Sequence, residues 1–265
     1  MDKTIELVNN VKDIHAMPTV IVKALNIMKK PTASMKELGD IVMFDQSLTI
    51  KFLALVNSAY YGFSQQISSI NIALSLLGMV KVKNIIVAVA MKPMMSNQGD
   101  KELWKHSMRV ASGCEYLANL TKIMDADEAF IAGFVHDVGK IVLHMTDEKR
   151  YTKVISLVDD GADIQETERK YFDSDHVKTG SLLAKRWQLP ILLANTIMYH
   201  HAPALSSIPV PCNLVCFVDK LVQTNFRPET VDKDFCNTLG IDFEDLEELR
   251  NAILQKAEVM ISELS

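Results

Sequence analysis

The stretch INIALSLLGMVKVKNIIVAVAM, residues 70–91, decides the fold class. Ile70 to Leu77 carries apolar side chains at helical spacing and stops at Gly78, while Val80 to Met91 is apolar nearly all round, the pattern of a helix at the centre of a helical protein. The same 3.6-residue rhythm recurs on either side of this stretch. Towards the N-terminus it predicts helices over Lys3 to Val11, Thr19 to Met28, a segment headed by Ser34, and Asp45 to Asn57 with Leu48, Phe52, Leu53 and Val56 on one face. Ser34 followed by Glu37 is a capping-box arrangement. Towards the C-terminus it predicts Glu102 to Thr121, Asp125 to His136, Asp147 to Asp160, Asp163 to Phe172, His176 to Trp187, Pro190 to His201, Val210 to Val222 and Asp242 to Leu264. Only 10 glycines and 8 prolines punctuate 265 residues, so the expectation is an all-α protein.

Composition narrows the function. Lys plus Arg is 28 and Asp plus Glu is 33, a net charge of -5, which argues against a general affinity for nucleic acid or for an anionic membrane surface. The Lys81-Val-Lys83 doublet is too short to count as a basic patch. The acidity is concentrated in residues 229–265, and the body is close to neutral. The longest uninterrupted apolar run, Ile85 to Met91, is far short of a membrane span, and the N-terminus lacks the apolar core of a signal peptide. The expected location is therefore cytoplasmic, with no membrane partner. Cys114, Cys212, Cys216 and Cys236 form no paired-doublet zinc pattern and read as buried thiols, with the i, i+4 pair Cys212 and Cys216 as a minor alternative metal clip.

Residues 93–101, PMMSNQGDK, break the helical rhythm. The expected division is an N-terminal helical subdomain over 1–97, a second subdomain over 98–225, and a C-terminal acidic helical extension over 226–265.

Six of the seven histidines fall between positions 106 and 201. The strongest element is FVHDVGK, residues 134–140: His136 and Asp137 at the end of an apolar helix, released by Gly139, can present an imidazole and a carboxylate to one divalent cation. Lys140 can then approach an anionic ligand of that cation. His106 has Glu102 one turn before it on the same face. His176 opens a helix, His200-His201 closes another, and Asp219 lies in the apolar run CNLVCFVDKLV, where an unpaired carboxylate would be costly. Plainer readings stand beside these: Glu102 as a solvated first-turn acid, His176 as a helix-start residue, and Asp219 as a buried acid hydrogen-bonded to another helix. Neighbouring helical residues point about 100° apart, so His200 and His201 cannot face one point but can serve two adjacent ions. His15 and His144 fit no pattern.

Over residues 14–225 the sequence resembles the HDOD family, the HD-related output domain of bacterial signalling proteins within the HD-domain phosphohydrolase superfamily. The resemblance rests on Met17-Pro18, Pro31, the Asp45 to Leu48 segment, the VNSAYYG run at 56–62, Ile67 to Ile70, Leu76-Leu77-Gly78, the LWKHS run at 103–107, His176, and the WQLP turn at 187–190. It implies a helical HD-like bundle and a signalling module that works through a protein partner. Many members have lost the metal ligands, whereas this chain resembles the metal-binding HD enzymes at His106, His136, Asp137, His176, His200, His201 and Asp219. Glu102 stands where some trinuclear relatives place an extra ligand. The resemblance therefore implies a divalent, two-ion site of Fe, Mn or Zn. It leaves metal-dependent phosphohydrolysis as the alternative activity, with Asp137 bridging and Lys140 steadying phosphoryl charge, and a di-iron redox centre as a third. His201 is followed by Ala-Pro-Ala-Leu rather than a Gly-Tyr-Pro loop, which departs from the cyclic dinucleotide phosphodiesterases of the superfamily.

Overall fold

The computed structural model describes residues 3–11, 20, 21, 23, 34–44, 46–96 and 102–264. Among them the helices are α1 (Lys3–Asn10), α2 (Met35–Phe44), α3 (Gln46–Val56), α4 (Ile70–Ser96), α5 (Glu102–Thr121), α6 (Ala126–Val135) and α7 (Val138–Thr146). They continue with α8 (Glu148–Asp159), α9 (Ile164–Phe172), α10 (His176–Arg186), α11 (Ile191–Tyr199), α12 (Pro209–Leu221), α13 (Lys233–Leu239) and α14 (Leu246–Leu264). No strand occurs among the described residues, as the helical rhythm predicts. The helix expected over Thr19 to Met28 and the residues His15, Met17, Pro18, Pro31 and Asp45 lie mostly or wholly outside the described set.

The chain forms two compact units that are discontinuous in sequence. The first comprises Met1–Met17 and Phe134–Cys216, the second Pro18–Gly133 and Phe217–Ser265. The boundary expected after residue 97 falls where residues 97–101 are outside the described set.

In the first unit, α10 is the hub, packing against α1, α7 and α11, while α8 packs against α7 and α9. Helix starts are set by aspartates whose side chains accept exposed backbone N–H groups: Asp147 from Arg150, Asp163 from Glu166 and Asp175 from Lys178. Gly139 plays a different part from the one its sequence context implies. It does not release the preceding helix, which already ends at Val135, but lies in the first turn of α7. A Cβ there would stand 1.9 Å from the carbonyl oxygen of His176 and 2.5 Å from the Gly180 nitrogen. Two glycines thus let the backbones of α7 and α10 touch, and the Thr179 hydroxyl donates across the contact to the Gly139 carbonyl at 3.2 Å.

In the second unit, the capping box is present: the Ser34 N–H donates to Glu37 Oε2 at 3.1 Å and the Glu37 N–H to Ser34 Oγ at 3.2 Å. Leu48, Phe52, Leu55 and Val56 of α3 are buried. Gly78, at φ 79° and ψ 164°, breaks α4 where the apolar rhythm stops. Ile70–Met95 is by length and composition apolar enough to cross a membrane, with an 18-residue window of mean hydropathy 1.9, but 56% of that window is buried and the helix packs against α2, α3 and α5, as befits a core helix. The C-terminal α14 packs on α5 and α3, burying Leu246, Ile253, Ala257, Met260 and Leu264. Gly113 of α5 admits it: a Cβ at that position would lie 2.9 Å from Ile253 Cγ2. Lys51 and Lys92 donate to the Leu264 carbonyl at 3.4 and 2.6 Å, placing cations at the negative end of the helix.

Gly139→Ala is expected to cost more than the ~1–3 kcal/mol typical of overpacking, because the obstruction is backbone on both sides. Gly161→Ala, at φ 100° with open space around it, should cost only about 1 kcal/mol from conformation. Urea midpoints of the two variants test the contrast. Ile253→Ala should remove about 2–4 kcal/mol from the second unit.

Candidate metal centre

The helix-to-helix contact at Gly139 brings two helix starts together in the first unit. Asp137 precedes α7 and makes no side-chain cap. Its Oδ2 lies instead 2.6 Å from Lys140 Nζ and 3.2 Å from His136 Nε2. At the start of α10, Asp175 caps the helix and holds Arg169 Nη1 at 2.8 Å, which fixes the first turn on which His176 stands. His200 and His201 arrive from the end of α11. His136, His176 and His200 are fully buried and Asp137 is 1% exposed.

The hydrogen bonds of the rings set their protonation. His200 Nδ1 lies 3.2 and 3.1 Å from the carbonyls of Thr196 and Ile197, which only accept, so Nδ1 carries the hydrogen and Nε2 a lone pair. His176 Nδ1 faces Glu168 Oε2 at 2.6 Å and is fixed in the same sense. The two Nε2 atoms are 3.4 Å apart. Asp137 Oδ1 lies 3.6 Å from that of His176 and 3.7 Å from that of His200, and His201 Nε2 is 3.0 Å from His176 Nε2. Donor atoms around a tetrahedral divalent ion with bonds of about 2.0–2.1 Å stand roughly 3.3–3.4 Å apart, so this spacing fits a metal site. The mix of imidazole and carboxylate suits borderline ions such as Zn, Fe and Mn.

The local electrostatics are those of a cation site. Burial alone would raise the Asp137 carboxyl, but His136 and Lys140 beside it more than offset this and hold it well below the ordinary carboxylate range. Burial, followed by the neighbouring His201 and His136, holds His200 well below the usual histidine value, so its ring stays neutral and able to ligate.

The other expected ligands lie in the second unit. His106 Nε2 of α5 is 2.9 Å from Asp219 Oδ1 of α12, so the carboxylate in the apolar run has an imidazole partner. Glu102 is exposed, with its oxygens 2.8 Å from Lys105 Nζ and 3.8 Å from Arg109 Nη1, the arrangement of a solvated first-turn acid. Cys212 and Cys216 form no disulfide among the described residues, and Cys212 Sγ is directed at the Ile208 carbonyl.

The residue that sequence reading missed is Glu168. It sits in IQETERKYF, a charge-dense stretch that reads as a solvated helix, yet it is fully buried. Its Oε2 accepts from the His176 backbone N–H at 2.8 Å as well as from the ring, and Tyr151 Oη stands 3.3 Å from Oε1. The only available signal was its spacing on one face of α9 with Phe172, which is too weak to outweigh the polarity around it.

The model of the HDOD domain matches residues 14–203, well over half of the chain. The chain belongs to the HDOD family. Among solved structures, an HDOD domain protein of unknown function from Geobacter sulfurreducens aligns at TM-score 0.79 and 23% identity, covering 95% of this chain and 96% of that one. A provisionally named signal transduction protein from Marinobacter aquaeolei VT8 aligns at TM-score 0.74 and 20% identity over 94% of this chain and 58% of its own. A provisionally named metal-dependent phosphohydrolase from Shewanella amazonensis SB2B aligns at TM-score 0.68 and 18% identity over the full length of both. These likenesses establish the HDOD helical fold. An uncharacterised Treponema pallidum (strain Nichols) protein is 24% identical over 200 residues, which make up 74% of this chain but only 39% of that longer relative.

Adding Zn or Mn at about 1,000-fold over its dissociation constant to chelator-stripped protein should stabilise the wild type by ~4 kcal/mol. Asp137→Ala and His176→Ala should each abolish the shift in thermal midpoint.

Proposed function

We propose that this HDOD protein is a bacterial signal-transduction module that acts by protein interaction and holds divalent metal through His136, Asp137, His176, His200 and His201. The observation that carries the proposal is the approach of two buried imidazole Nε2 atoms, both lone-pair bearing, to 3.4 Å of one another and to within 3.7 Å of a carboxylate oxygen. Electron-rich atoms brought this close in a buried site favour a cation between them. The ligand roles of His106 and Asp219 remain part of the proposal. Their preformed imidazole and carboxylate pair is the same donor chemistry. The name of the Marinobacter neighbour agrees with the signalling reading.

A second reading, metal-dependent phosphohydrolysis, is favoured by one specific feature and agrees with the name of the Shewanella neighbour. Lys140 Nζ, bound to Asp137 Oδ2 at 2.6 Å, keeps 19% of its side chain exposed at the edge of the buried cluster. A divalent ion in such a site supplies Lewis acidity and lowers the pKa of its bound water. Lys140 would neutralise charge building on a phosphoryl oxygen, and Asp137 holds the ammonium in place for that purpose.

Elemental analysis of protein purified without added metal should find at least one equivalent of Fe, Mn or Zn. The His136→Ala, Asp137→Ala double variant should hold none and remain folded. A screen of phosphomonoesters, phosphodiesters and nucleotides with the metal-loaded protein then separates the two readings. No turnover supports the signalling module, whereas turnover that falls about 100-fold or more in Lys140→Met establishes the hydrolase.

A further inference from the structure

Glu168 has no part in the ligand set, yet it occupies a position that the energetics of burial make costly. It is fully buried, as is the His176 it contacts, and Tyr151 beside it is 3% exposed. A carboxylate withdrawn from water costs several kcal/mol unless its oxygens are hydrogen-bonded, and an apolar side chain of similar volume would fill the same space more cheaply. What this carboxylate does is specific. One oxygen, Oε2, takes both the backbone N–H of His176 at 2.8 Å and its ring Nδ1 at 2.6 Å, so it clamps the residue at two points and fixes the ring about its side-chain torsions. The other oxygen, Oε1, lies 3.3 Å from the Tyr151 hydroxyl, which holds the carboxylate plane in turn.

We infer that Glu168, held by Tyr151, is the positioning residue that fixes His176 as the Nδ1–H tautomer and makes its Nε2 a stronger metal donor than that of His200. The inference rests on the metal-site reading and extends it to a residue outside the ligand set. A charged acceptor on Nδ1–H draws the hydrogen away from the ring and raises electron density at Nε2, the atom that faces His200 and His201. Among the described residues, the acceptors facing His200 Nδ1 are the neutral carbonyls of its own helix. The two rings therefore differ in the acceptor on Nδ1, a carboxylate for His176 and carbonyls for His200, although both are buried and both present Nε2. Metal affinity then depends on a glutamate that touches no metal. Its removal acts through His176 alone.

Two measurements on the full chain test this. In metal-free, ¹⁵N-labelled protein, long-range imidazole correlations should show His176 with Nδ1 protonated and Nε2 bare. Glu168→Ala should lose that signature while the His200 pattern is kept. Competition for Zn or Mn against a chromophoric chelator should show Glu168→Ala binding about 10- to 100-fold more weakly than the wild type. Glu168→Gln, which keeps an acceptor oxygen but no charge, should retain the tautomer and bind about 3- to 10-fold more weakly than the wild type, and Tyr151→Phe should weaken binding by a smaller factor still. Wild-type tautomer and affinity in a folded Glu168→Ala would overturn the inference. If that variant does not fold, wild-type affinity in both Glu168→Gln and Tyr151→Phe overturns it instead. A wild type that binds no metal sinks the metal-site reading but not this one, which the tautomer signature then decides.

Discussion

The approach of α7 to α10 constrains the first unit more than any other contact, because it is made by backbone. The Gly139 Cα and the His176 carbonyl occupy space that any side chain at 139 would need, since a Cβ there would come within 1.9 Å of that oxygen. Gly180 completes the contact, with Gly139 nitrogen 3.1 Å from the place its own Cβ would take. Asp137 lies two residues before one of these glycines, and His176 supplies the carbonyl that meets it. The steric requirement of the fold and the placement of the cluster are therefore one requirement. Close packing of this kind has few alternatives, since helix backbones can touch only where both lack a side chain.

The cluster built on that contact gathers electron-rich atoms in a buried place. His176 and His200 are locked with Nε2 bare by acceptors on the far side of each ring, and both lone pairs face a carboxylate kept ionised by His136 and Lys140. Burial removes the water that would otherwise screen them. Such an arrangement works against stability and persists in a fold that has much apolar burial to offset it, including Phe134, Val138, Val142, Val154 and Leu183 in the same unit.

The second unit shows how a family motif and a chain extension combine. Asn57 of the VNSAYYG run donates to the Leu53 and Ile67 carbonyls and accepts the Ile67 N–H, closing the loop between α3 and α4 through one side chain. Tyr60 of the same run bonds to the buried Glu115 of α5, which also pairs with Lys81 of α4 at 3.2 Å. Helix α14 lies outside the family match, but Lys256 places its ammonium 4.9 Å from the Tyr60 ring, and Arg109 binds Glu258 at 2.8 Å. The acidic C-terminal segment is therefore part of the core of this unit, with Leu246, Leu249, Ile253, Ile261 and Leu264 buried.

The helical class and most helix limits were legible in sequence, and so were the residues that make up the candidate site. Periodicity, capping aspartates and the break at Gly78 are local effects, each decided by residues a few positions apart, and His136-Asp137 and His200-His201 declare their chemistry by composition. What only the tertiary structure decided depends on residues distant in sequence. Gly139 reads as a helix stop and is a backbone contact point, because the obstacle to a side chain there is the carbonyl of residue 176. Glu168 reads as a solvated acid and is a buried clamp, because its partners are a ring eight residues on and a hydroxyl from another helix. Asp219 finds His106 on a helix more than a hundred positions away. Helix period and caps are written along the chain, whereas the meeting of two helix faces is written in neither of them alone.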